Sequence, residues 1–139
     1  MTPQPANVRE FAQRYTAAWC SHDAPSVALF YSQNGSLSIN GGTPAVGRSA
    51  ITAAAQEFMS AFPDLQVLMD DLQIKGHRAV YHWTLIGTNN GLGGTGQRVR
   101  ISGFEQWEFS GDGLIARSQG CFDNADYRRQ LENGFEGSL

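Results

Sequence analysis

The sequence predicts an α+β domain in which helices pack on one face of a curved antiparallel sheet. Three observations carry that expectation. Apolar residues recur at helical spacing through the first part of the chain, the period changes to two from Leu65 onward, and turn signals separate the alternating runs. A sheet that curls around its helices makes a cone with a closed end and an open mouth, a shape that holds pockets.

The elements follow in order. Val8, Phe11, Tyr15, Ala18 and Trp19 form one apolar stripe of a first helix, with Arg9, Gln13 and Arg14 elsewhere. Ser21-His22-Asp23 interrupts it; Asp23 suits an N-cap and Pro25 a first turn, so Pro25 to Tyr31 reads as a short second helix, and His22 as a connector residue. Asn34-Gly35 marks a turn, Ser36 to Asn40 a short strand, and Gly41-Gly42 closes it. Gly47 to Ala61 places Ile51, Ala55, Phe58 and Phe62 on one helical face before Pro63 stops it, and the run Ala53 to Ala55 keeps one side thin enough to approach a sheet. Four strands follow at Leu65 to Lys75, Ala79 to Thr88, Arg98 to Phe109 and Leu114 to Phe122, then a terminal helix from Asn124 or Ala125. The glycine-rich NNGLGGTGQ between the second and third of these lacks the order and the lysine of a phosphate loop, and reads as a flexible hairpin loop or a lid over a pocket.

With 139 residues, 41% hydrophobic and 11% aromatic, the chain fits one packed domain over 1–139, with 1–6 a mobile start. A net charge of -3 gives no electrostatic footprint for nucleic acid. No apolar run is long enough to span a bilayer and no leader pattern is visible, so a cytoplasmic protein is expected, with Cys20 and Cys121 as reduced, buried thiols. No nucleophile elbow, calcium loop or histidine pair suggests covalent catalysis or a metal.

The candidate chemistry gathers at the end of the last strand. Alternation from Leu114 puts Ile115, Cys121 and Asp123 on one face, so Asp123 shares an apolar setting. Two readings stand: a carboxyl raised in pKa by desolvation and fit for proton transfer, or the N-cap of the last helix. On the strand before it, Ser102, Phe104, Gln106 and Glu108 share one face, and Ile101, Gly103, Glu105, Trp107 and Phe109 the other. The Trp107/Phe109 face is either the core or a subunit interface outside the sheet; in the second case Gln106 and Glu108 look into the pocket. His82 is the only histidine inside a strand, either structural or catalytic. Gln106, His82 and Tyr15 are the donors that would stabilise an enolate or alkoxide.

Taken together, FAQRYTAAWCSHD, ALFY, VGRSAI, AFPDLQV, VYHWTLIGTNNG, TGQRVRISGFEQWEF, DGLIARSQGCFD and YRRQLENG resemble the SnoaL-like polyketide cyclase group of the ketosteroid isomerase and nuclear transport factor-like superfamily. The resemblance implies an α+β cone, a homodimer through the outer sheet face, and no cofactor. It matches Asp123 to the acid that closes a ring by intramolecular aldol chemistry, Gln106 to a pocket glutamine and Glu108 to a pocket histidine; Cys20 stands where many relatives carry asparagine. The expected function is that of a cyclase- or isomerase-like enzyme acting on a small hydrophobic carbonyl compound. Asp123 would move the proton, His82 and Gln106 would hold the oxyanion, and Tyr15, Trp19, Phe58, Phe62, Trp83 and Phe104 would form the walls. The alternative is a non-catalytic ligand-binding or dimerisation module in which Asp123 only caps a helix.

Overall fold

The computed structural model describes residues 7–135, so the expected mobile start at 1–6 lies outside the described residues. Helix α1 (Val8–Cys20) starts where the Asn7 side chain accepts a hydrogen bond from the Glu10 amide at 2.9 Å, and it buries the stripe read from the sequence plus Ala12. Helix α2 (Ala24–Ala28) is shorter than expected because Tyr31 already belongs to a strand, β1 (Tyr31–Ile39). Asn34-Gly35 is therefore no turn. It is an irregularity inside β1, between Tyr31 and Ser36, where a Cβ on Gly35 would come within 2.7 Å of the Ile115 carbonyl oxygen. A two-residue β2 (Ala45–Val46), too short to leave a periodic signal, precedes α3 (Arg48–Ala61). The remaining elements are β3 (Gln66–Lys75), β4 (Arg78–Thr88), β5 (Arg98–Phe109), β6 (Ile115–Phe122) and α4 (Asn124–Asn133), each within one residue of the sequence reading.

The six strands form one curved, unclosed sheet in the order β2-β1-β6-β5-β4-β3. Every pair is antiparallel except β1 and β6, which run parallel because the chain leaves β1 for α3 and returns beside it only at the end. The helices cover one face. On β5 that face carries Val99, Ile101, Glu105, Trp107 and Phe109, all buried, so the Trp107/Phe109 side is core rather than an outer interface. Phe11, Tyr15, Tyr81 and Phe109 surround the Trp107 ring, with Tyr81 stacked at 4.8 Å.

The first residues of β5 have no neighbour on the β6 side, since β5 pairs with β6 only from Gly103. Gln130 of α4 supplies the missing ladder: its Oε1 accepts from the Arg100 amide at 2.7 Å and its Nε2 donates to the Arg100 carbonyl at 3.0 Å. The glutamine of YRRQL thus fastens the last helix to the sheet. Cys20 corrects the expectation of two buried thiols: the residue is exposed, although its Sγ bonds both the amide and the carbonyl of Val67 at 3.3 Å, while Cys121 is half-buried. No helix among the described residues is long and apolar enough to cross a membrane.

Candidate functional site

Between α1, α3 and the inner face of the sheet lies a cavity of about 60 Å³. Aromatic rings of Trp19, Phe58, Tyr81, Trp83 and Phe122 form much of its wall, with Leu37, Ile39, Val67, Leu85 and Ile101 filling between them. Ala54, from the alanine run of α3, keeps the helix side thin. One acid stands in this wall, Glu105.

Glu105 is 8% exposed and reaches the interior because β5 alternates strictly from Ile101 to Phe109. Its Oε1 accepts three hydrogen bonds, from the Ser118 hydroxyl at 2.7 Å, the Trp107 indole at 2.9 Å and the Tyr15 hydroxyl at 2.9 Å. Its Oε2 receives only the longer bond from Tyr15, at 3.2 Å. Behind Tyr15, the Tyr31 hydroxyl lies 3.0 Å from the Tyr15 hydroxyl. Burial pushes the Glu105 carboxyl above the usual carboxylate range, and the hydrogen bonds of Trp107, Ser118 and Tyr15 pull it only part of the way back. Burial, and then the charge of Glu105, hold the Tyr15 and Tyr31 phenols well above their ordinary value. The result is an acid among neutral donors, with no cationic partner in contact among the described residues.

The sequence-derived candidates divide. Trp19, Phe58 and Trp83 meet in the cavity wall, and fully buried Tyr15 adjoins it through Glu105. Phe62 is buried elsewhere, packed on the Tyr127 ring at 6.4 Å. The others point away. His82 and Phe104 pair across β4 and β5 on the outer face, their rings 6.0 Å apart, with His82 Nε2 3.4 Å from Gln73 Oε1. Gln106 and Glu108 line a separate concavity of about 300 Å³ on that outer face, where Glu108 pairs with Arg78 at 3.4 Å and Arg117 at 3.0 Å.

Asp123 is exposed, which corrects the expectation that the last strand delivers it into an apolar interior. The strand ends at Phe122, and Asp123 turns out as the N-cap of α4, its Oδ1 accepting from the Asp126 amide at 3.0 Å. Asp123→Ala should therefore lower stability by about 1 kcal/mol, as a lost cap does, in urea unfolding. Among the described residues, no three His, Cys, Asp or Glu side chains gather as a metal would require.

Glu105 escaped the sequence reading although a signal was there: it is the one charged residue on a face otherwise made of Ile101, Gly103, Trp107 and Phe109. Gly103 matters to the same wall. A Cβ there would come within 2.3 Å of the Cys121 carbonyl and 2.7 Å of Trp83 Cζ2, so the Trp83 indole occupies space that only glycine leaves. Gly103→Ala should cost about 1–3 kcal/mol by overpacking, read from urea midpoints.

A family model for SnoaL-like polyketide cyclases matches residues 9–131. The chain belongs to that family. Solved structures of similar shape include a SnoaL-like protein of Jannaschia sp. CCS1, with a TM-score of 0.81 and 16% identity over 95% of this chain and 96% of that one. A ketosteroid isomerase-like protein of Catenulispora acidiphila DSM 44928, solved in complex with trimethylamine, aligns with a TM-score of 0.78 and 14% identity over 88% and 92%. TsrD from Streptomyces laurentii aligns at 0.77 and 22% identity over 89% and 93%. At such identities these likenesses concern the fold. No curated protein matches the sequence. Within this SnoaL-like fold, the acid that faces the cavity sits in the middle of β5, and the one at the head of the last helix faces water.

Proposed function

We propose that this SnoaL-like protein binds a compact, mainly apolar carbonyl compound in the cavity and moves a proton on it with Glu105. The observation that carries this reading is a single buried carboxyl, raised in pKa and unpaired with any cation, in a wall of rings. Glu105 Oε1 is filled by its three donors, so Oε2 is the atom left to take a proton from the carbon beside the carbonyl. The bonding pair stays on the substrate as an enolate, and the proton returns from Oε2 to carbon or oxygen, which gives a proton shift or follows a ring closure. Exchange of the α-hydrogens of cyclohexanone in deuterated water, followed by proton NMR, tests this: acceleration by the protein is expected, and none under saturating ligand would leave a binding module.

A second reading has its own support. Five aromatic rings with one acid suit a small alkylammonium through cation–π attraction, and the Catenulispora relative holds trimethylamine. An ammonium would be held by ionised Glu105, and loss of its binding in Glu105→Gln, read by calorimetry, checks that pairing.

The same proposal includes a homodimer through the outer sheet face. Leu68, Val80, Ile86 and Phe104 lie there among neutral Gln73, Gln106 and Gln119. Phe104→Asp should convert a dimer to a monomer in light scattering; a wild-type chain that is already monomeric refutes the pairing.

A further inference from the structure

We propose that Trp83 donates its indole N–H to an oxygen of the bound compound, so that the ligand is a ketone or aldehyde and not a hydrocarbon of the same shape. The inference rests on the cavity reading and narrows its ligand class. Trp83 Nε1 is sealed from water and has no hydrogen-bond partner, the one such side-chain atom among the described residues. A buried donor left without an acceptor costs about 1–3 kcal/mol, so it calls for a reason.

Packing alone does not supply one. The indole lies against Gly103, a glycine in mid-strand that would otherwise weaken β5, and edge-on to Phe122 at 6.0 Å. A phenylalanine would fill such a slot without stranding a donor. The indole of Trp107 contrasts with it and gives its N–H to Glu105. Trp83 and Glu105 border the same cavity from neighbouring strands, β4 and β5. A compound that settles between them, with the indole turning to present its N–H to one acceptor oxygen, answers both the stranded donor and the raised carboxyl. An ammonium answers only the second, which is why the stranded indole favours the carbonyl compound.

The experiment compares cyclohexanone with methylenecyclohexane, which replaces C=O by C=CH₂ in nearly the same shape. Both are titrated into the wild-type protein and Trp83→Phe by ¹H–¹⁵N NMR, the Trp83 indole resonance being the one the variant lacks. Expected are a downfield move of that resonance with cyclohexanone alone, and a preference for the ketone that falls roughly three- to tenfold in Trp83→Phe, the worth of one neutral hydrogen bond. If both compounds bind and the preference is the same in the variant, the role of Trp83 is refuted while the cavity reading stands. If neither binds the wild type, the cavity reading fails and takes this inference with it. Should Trp83→Phe not fold, the wild-type indole shift decides: movement with the ketone only supports the donor, and equal movement with both overturns it.

Discussion

Glu105→Gln is expected to slow the exchange of cyclohexanone α-hydrogens by two to four orders of magnitude, the usual worth of a positioned general base. Glutamine keeps the length of the side chain and an oxygen able to accept from Trp107, Ser118 and Tyr15, so the wall should persist while the proton acceptor is lost. Retained binding of cyclohexanone by the variant separates loss of chemistry from loss of the site. The pH dependence has a fixed sign. Proton removal needs the ionised form, so wild-type exchange should climb as pH rises through the raised pKa of Glu105, and the climb should vanish in the variant. Stability runs the other way. The folded carboxyl holds its proton above the ordinary value of 4.5, so the folded state binds more protons than the unfolded one across that window. Stability from this group is full below 4.5 and is lost as pH rises through the folded pKa. The difference in urea midpoint between wild type and Glu105→Gln should fall accordingly. A wild type whose exchange matches the variant at every pH would return the chain to the binding-module reading.

Much of the frame was legible because it depends on local periodicity. The boundaries of α3, β3, β4, β5 and β6 follow from where Gly, Pro and Asn interrupt a repeat of 3.6 or 2, and the structure moves them by at most one residue. Asn34-Gly35 misled for a tertiary reason: the pair has hairpin chemistry, yet the approach of the Ile115 carbonyl uses the glycine for closeness. The site was harder to read, since it depends on which face of β5 turns inward. Strict alternation separates Glu105 from Gln106 and Glu108 but does not say which set meets the helices. The bulk of Trp107 and Phe109 argued for their own face, and Glu105 travels with them. Asp123 shows a related limit. The β6 register shifts between Ile115 and Arg117, so Ser118, Gly120 and Phe122 face inward after Ile115 and Cys121 does not. The inward direction extrapolated to Asp123 was thus lost before the strand gave way to the helix cap.

Trp107→Ala is the substitution expected to cost most in stability, about 3–5 kcal/mol, the range for a large buried aromatic replaced by alanine. Against a total of roughly 5–15 kcal/mol for a domain of this kind, that brings the chain near unfolding. Trp107 is 1% exposed and its ring is held by four others, so the surrounding side chains have little freedom to close the space. It also leaves Glu105 Oε1 short of a donor, which adds to the pressure that burial already puts on the carboxyl. Trp107→Phe keeps a packed ring in place while it removes the N–H, so a double-mutant cycle, not the single variant, isolates the bond. The loss specific to that bond should shrink in the Glu105→Gln background, where the acceptor is no longer a carboxyl. A double-mutant cycle in urea should give a coupling of about 0.5–3 kcal/mol. A coupling of zero would mean that the indole supports the fold alone, and that the hydrogen bonds around Glu105 do not act together on the acid.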